Sequence, residues 1–214
     1  MSDSKLSPRV IAFEGCAGSY KSSQMRRAEA FLEAQGIATE TVSNPGTTEL
    51  AVMVREHFLR NDLPERIRLQ AMLLSLVSSA VELIHPALRS GKWVLLNRWT
   101  LSTLIYQGLL PGRSIYAVMD ALKLALPVEL YPESYLVYSV TPENARKRVL
   151  ESGDELTIFE KDPATLGRIA TAYDFAHSIL PGSHVDIYTI DANNSEEEVW
   201  SATEKYLKYM IKNK

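Results

Sequence analysis

Residues 9–14 form a short run, Arg-Val-Ile-Ala-Phe-Glu, and are followed by Gly15, Cys16, Ala17, Gly18, Ser19, Tyr20, Lys21, Ser22 and Ser23. The run reads as a buried strand, and the apolar spacing of Met25, Ala28, Phe31 and Leu32 beyond it reads as a helix opening at Lys21. A glycine-bearing turn between a strand and a helix N-terminus can hold an anion. Its backbone N–H groups converge, and the helix dipole favours negative charge. Gly15 to Ser22 approximates the G-x-x-x-x-G-K-[ST] pattern, in which the lysine neutralises β- and γ-phosphates and the hydroxyl ligates magnesium. Lys21 and Ser22 are therefore the candidates for those roles. A bare turn with a solvated lysine is the competing reading, and the coincidence of position, lysine and hydroxyl favours the phosphate site. Tyr20 departs from the pattern, which has glycine there; a side chain at this point either blocks the approach of phosphates or requires the loop to bend differently.

The elements that must position this loop follow from periodicity and punctuation. Strands are expected over residues 9–14, 37–42, 93–96, 135–140 and 185–190. Helices are expected over 21–35, 48–59, 64–88, 101–109, 114–126, 142–150 and 195–211, with Gly36 and Gly91 as stops. Strands alternating with helices predict a single α/β domain over 1–214, a three-layer fold with a five-stranded parallel sheet and the strand ending at Glu14 in its centre. Ligands on such sheets bind beyond the carboxyl ends of the strands. The polar segment 151–162 lies between helices and is a candidate lid, with a plain surface loop as the alternative.

Composition bounds the function. The chain has 214 residues, 46% hydrophobic and 23% charged, with a net charge of −3, which argues against an electrostatic nucleic-acid binder. One cysteine, Cys16, excludes an internal disulfide and a cysteine-based zinc site. Its thiol is read as a small buried filler of the loop, with a reactive thiol as the alternative. The four histidines show no metal-ligand spacing. The longest apolar run, 71–81, falls short of the roughly 18 residues a membrane span needs. The first nine residues lack an apolar signal-peptide core, so a reducing cytoplasmic setting is expected.

Nearly the whole chain resembles the thymidylate kinase family of P-loop nucleoside monophosphate kinases. The resemblance runs through FEGCAGSYKSSQ, NPGTTELAVMVREHFL, the stretch VELIHPALRSGKWVLLNRWTLSTLIYQG with Ser102, Tyr106, Gln107 and Gly108, and IDANNSEEEV, which is similar to the family's adenine-side loop. It implies ATP and Mg²⁺ at Gly15 to Ser23, Arg98 on the acceptor phosphate, Tyr106 and Gln107 in the acceptor pocket, a nucleotide substrate and a homodimer. It also implies departures. Ala17 replaces a loop acid, Ser43 and Asn44 replace an arginine and a glutamate, and Asn97 replaces the aspartate before Arg98. Leu76 stands for the arginine that holds the base, and Met72 for the aromatic that stacks on it. No arginine lies in 151–162; Arg146, Lys147 and Arg148 just before it read as a solvated basic face or as substitutes. The resemblance thus implies either a nucleotide kinase with altered acceptor or reduced activity, or a silent relative kept for nucleotide or protein binding.

Overall fold

The structure, a computed structural model, describes residues 9–60, 63–153, 157–159, 161–180 and 185–213. In chain order the elements are β1 (Val10–Glu14), α1 (Lys21–Ala34), β2 (Thr39–Ser43), α2 (Glu49–Arg60), α3 (Glu65–Arg89), β3 (Trp93–Asn97), α4 (Thr100–Thr103, continuing as a wide turn over Leu104–Leu109), α5 (Ile115–Ala125), β4 (Ser134–Ser139), α6 (Pro142–Glu151), α7 (Pro163–Asp174), α8 (Ala176–Ile179), β5 (Asp186–Asp191) and α9 (Glu196–Lys212). The sheet is parallel throughout, in the order β2-β3-β1-β4-β5. The expected strand at Glu14 is its centre. Every residue of β1 is buried, because helices cover both faces, which is why its sequence is a continuous run rather than an alternation.

Register brings the site together. Phe13 lies opposite Asn97 on β3, and opposite Leu136 on β4. The chain therefore leaves β1 into Gly15 and leaves β3 into Arg98 at neighbouring carboxyl ends. The Arg98 N–H donates to the Phe13 carbonyl at 3.1 Å and ties the two exits to each other.

Two of the expected helices differ in detail, and α7 (Pro163–Asp174) and α8 (Ala176–Ile179) fall outside every expected helix range. The helix expected over 64–88 runs Glu65–Arg89, with a π-helical turn at Ala80–Ile84. Pro86 explains the turn: it has no N–H for the Glu82 carbonyl four residues back, and its ring crowds that carbonyl, so the helix widens there. By length and composition this 25-residue helix is long and apolar enough to cross a membrane, with a mean hydropathy of 1.6 over its most apolar window. The run 71–81 understated it because the helix extends past both ends. One face of it is core, with Met72, Leu76, Ala80, Ile84 and Ala87 buried against the sheet. The helix expected over 101–109 starts at Thr100 and is α-helical only to Thr103, after which Leu104–Leu109 is π-helical. Of the expected lid, residues 154–156 and 160 lie outside the described residues.

Candidate nucleotide site

The loop after β1 is a built concavity. Gly15 has φ 155°, and a Cβ there would lie 2.6 Å from Ser19 Oγ and 2.9 Å from the Tyr138 carbonyl. Gly18 has φ 75°, and a Cβ there would stand 2.3 Å from the Ala145 carbonyl at the start of α6. Both glycines are thus demanded by close approach as well as by backbone angle. Lys21 is buried, and its ammonium donates to the Cys16 carbonyl across the loop at 3.2 Å. Ser19 is fully buried, and its hydroxyl has no partner. Ser23 closes the first turn of α1 onto the Tyr20 carbonyl at 2.8 Å. Ala17 is half-buried. Cys16 is the buried filler expected: burial pushes its thiol up to about 11, outweighing the opposing charges of Lys21 and Arg98.

Tyr20 solves its steric problem at the backbone. It adopts φ 65°, ψ −1°, the left-handed conformation that glycine takes readily and tyrosine does not. The loop is therefore not forced open. The ring lies against Arg148, whose guanidinium carbon is 4.0 Å from the ring centroid. Arg148 is held in turn by the carbonyls of Gly18, Ala192, Asn193 and Asn194, at 2.6 to 3.3 Å. The solvated face expected for 146–148 is thus corrected at Arg148. That side chain fastens α6 to the phosphate loop and to the turn after β5, whereas Lys147 is exposed and pairs with Glu151 at 3.8 Å.

Arg98 is the other non-glycine residue with positive φ among the described residues, at 66°. Such strain persists where surroundings over-determine it, often at functional sites. The Arg98 guanidinium donates to Tyr173 Oη at 2.8 Å and to Ser102 Oγ at 3.4 Å, and lies 5.3 Å from the Tyr106 ring. Burial disfavours its charge, but Tyr106, Tyr173 and Glu14 outweigh burial and hold it firmly protonated. Beneath it, fully buried Glu14 accepts from the Trp99 N–H at 2.8 Å, the Ser102 N–H at 3.3 Å and the Ser102 hydroxyl. Burial raises the Glu14 pKa, opposed by these bonds and by Arg98.

Asn97 sits between loops. Its amide donates to Ser22 Oγ at 3.1 Å and to Ser43 Oγ at 3.4 Å. Asn44 is committed within the protein: Oδ1 accepts from Ser75 Oγ at 2.7 Å, and Nδ2 lies 3.3 Å from Met72 Sδ. Among the described residues no group of three His, Cys, Asp or Glu side chains is placed to hold a metal. Magnesium in phosphate sites takes most of its ligands from phosphates and water, so the single hydroxyl of Ser22 fits that role.

A cleft of about 110 Å³ opens beside Arg98, lined by Asn44, Met72, Arg98, Tyr106 and Gln107 together with Trp99, Thr103, Arg55, Thr157 and Phe159. Of the expected acceptor residues, Met72, Arg98, Tyr106 and Gln107 meet there. Leu76 does not: it is fully buried in the core one turn further along α3. Thr157 and Phe159 come from the expected lid, and the Phe159 ring stands edge-on to Tyr106 at 4.9 Å. Their part in the cleft was not legible in a polar loop. Trp99 and Thr103 are signalled by position, adjoining Arg98 and Ser102 around the start of α4.

A thymidylate kinase family model matches residues 13–202. The chain is 30% identical over 211 residues to a thymidylate kinase of Idiomarina loihiensis, covering 94% of this chain and 100% of the relative. It is 32% identical over 190 residues to one of Methylococcus capsulatus, covering 86% and 88%. With one of Legionella pneumophila it shares 28% over 213 residues, covering 97% and 98%. A parallel sheet that delivers a buried lysine and a strained arginine from adjacent strand ends, and a family model that matches residues 13–202, place this chain in the thymidylate kinase family.

Proposed function

We propose that the chain is a nucleoside monophosphate kinase that transfers the γ-phosphoryl group of ATP to a pyrimidine deoxynucleoside monophosphate. The observation that carries this is the pairing of two cationic sites on adjacent strand ends: Lys21 in the loop after β1, and Arg98 after β3, beside a cleft with aromatic walls. ATP with Mg²⁺ supplies the electrophilic γ-phosphorus and an ADP leaving group. Gly15 to Ser23 bind its phosphates through backbone N–H groups and the unpartnered Ser19 hydroxyl. Lys21 neutralises charge, and Ser22 offers one magnesium ligand. Arg98 orients the acceptor phosphate, whose oxygen bonds to the γ-phosphorus as the bond to the β–γ bridging oxygen breaks. Positioning and charge neutralisation are most of what such a transfer needs. A homodimer, through the exposed apolar stripe Ile67, Leu74 and Val81 on α3, in a cytoplasmic setting, completes the reading.

A second reading is a nucleotide-binding or protein-interaction module without turnover. It is favoured by the amide donor that Asn97 presents to Ser22, and by the Tyr20 ring on Arg148. A thermal-shift panel separates the two: ATP, ADP and the deoxynucleoside monophosphates, each with and without magnesium. A ligand that binds only the native state raises stability by RT ln(1 + [L]/Kd), about 2.7 kcal/mol at a hundredfold excess over Kd. Shifts with both donor and acceptor are expected. Shifts with neither would overturn the kinase reading.

A further inference from the structure

A second cavity, of about 360 Å³, lies apart from the acceptor cleft, and among the described residues the two share none of their lining. One wall comes from α5 and the residue after it. Met119, Leu122, Lys123 and Leu126 stand at positions i, i+3, i+4 and i+7, which is one face of a helix. Thr100 and Leu104 of α4 supply a second wall, and Tyr135 of β4 lies against it from the sheet. Interiors pack with few voids larger than a water molecule, and unfilled apolar volume is unfavourable in proportion to its size. A volume in the range of roughly 300–1,000 Å³ is the size of a small-molecule site.

The polar groups of the lining define what it takes. The Thr100 and Tyr135 hydroxyls bond to each other at 2.6 Å, so they ask nothing of a ligand. The Tyr131 hydroxyl has no partner, but it is itself closed to solvent and is not where a ligand enters. Among the described residues that line the cavity, Lys123 is the one that carries charge. Its side chain is 65% exposed, and its ion pair with Asp120 is long, at 3.9 Å, and equally open to water. Pairs of that kind contribute little, so Asp120 competes weakly for the ammonium. Val128 also lines the cavity while 83% exposed, which marks the open side. An apolar chamber with one cation at its mouth complements a molecule with an apolar body and one anionic head.

We propose that this cavity is a binding site for apolar monocarboxylates, with the chain lying between α4, α5 and β4 and the carboxylate at Lys123. The site is independent of the kinase reading, because no residue of the phosphate loop or the acceptor cleft takes part in it.

The test is calorimetry with decanoate and its cationic counterpart decylammonium, on the native chain, Lys123→Glu and Met119→Trp. The native chain binds decanoate about fivefold or more tightly than decylammonium. Lys123→Glu weakens decanoate by about three- to fivefold, the worth of an exposed ion pair, and tightens decylammonium. Met119 is partly buried, so a tryptophan there extends into the cavity and fills it. Met119→Trp therefore weakens both ligands by at least about tenfold and melts no lower than the native chain. No binding of decanoate to the native chain overturns the inference, and would leave the cavity to an apolar side chain of a protein partner. Equal native affinity for the two ligands overturns it too. So does an unchanged decanoate affinity in Met119→Trp, which would put the ligand elsewhere, such as beside Arg98 in the acceptor cleft. If Met119→Trp melts well below the native chain, Lys123→Glu decides: unchanged decanoate affinity there overturns the inference, and a loss for decanoate with a gain for decylammonium upholds it.

Discussion

Tyr20 occupies a glycine's conformation, and two consequences follow from that one residue. Its left-handed backbone costs about 1 kcal/mol, and its ring recovers a similar amount on the Arg148 guanidinium. Replacing Tyr20 with glycine therefore leaves the melting temperature nearly unchanged. It also uncovers the flat face of Arg148, next to the phosphate loop and the turn after β5, where a planar base can stack. ATP with magnesium is expected to bind the native chain weakly and Tyr20→Gly about fivefold more tightly, the equivalent of one such stack. Titration of the two proteins side by side checks this; equal affinities would show that the ring does not compete with ATP. Gly18 is less tolerant. A Cβ at 2.3 Å from the Ala145 carbonyl meets backbone that cannot turn aside, so Gly18→Ala should lose roughly 2 kcal/mol or more in urea denaturation. At this scale the sequence displayed what is local. Gly15, Lys21 and Ser22 are contiguous and carry their own pattern. The Tyr20–Arg148 stack joins residues far apart in the chain, and no local spacing announces it.

Glu14 works at the scale of elements. It ends β1 and accepts the N–H groups of Trp99 and Ser102, so a single carboxylate joins the central strand to the start of α4 and thereby aims Arg98. Glu14→Ala would leave those donors unpaired beside a buried charge, and should destabilise the fold by about 3 kcal/mol. Its titration has a definite sign. The folded-state pKa is raised above the usual 4.5, so as pH rises through 4.5 the unfolded chain loses its proton first. The stabilisation from this group is complete below pH 4.5 and declines as pH rises toward the folded-state value. Glu14→Gln lacks that titration. The stability of the native chain relative to Glu14→Gln should therefore fall as pH rises above 4.5 in parallel denaturation series, and a constant difference would contradict the assignment. Element identity was largely legible, since strand runs such as Trp93–Leu96 and helix stops such as Gly36 and Gly91 act within a few residues. The wide turns at Ala80–Ile84 and Leu104–Leu109 were not. A π turn conserves composition and shifts only register, and Pro86 was the sole local hint of the first. The place of Phe159 against Tyr106 was equally hidden, because it depends on where a polar loop folds back.

For the whole molecule, the exposed face of α3 carries Ile67, Leu74 and Val81 at seven-residue spacing, 49%, 50% and 63% exposed, with Val52 and Met53 exposed on α2. Seven-residue apolar spacing is the pattern of a helix seam that packs on a partner. Leu74→Glu should convert a dimer to a monomer in sedimentation without loss of helical signal, and an unchanged mass would remove this face as the interface. Alternating elements announced a parallel sheet with the strand ending at Glu14 in its centre, but they leave the full order β2-β3-β1-β4-β5 open, and the place of Arg98 beside Lys21 came from the family resemblance; the absence of Leu76 from the cleft depends on the rotation of α3 about its axis. The activity itself is decided by phosphorus-31 resonance of ATP, magnesium and thymidylate or deoxycytidylate mixed with the chain. The expected result is ADP and the pyrimidine diphosphate appearing in equal amounts, with Lys21→Ala slower by about 10²–10³. Bound ATP and bound monophosphate with no diphosphate formed over hours would contradict it, and would leave a nucleotide-binding relative that has kept the fold and lost the transfer.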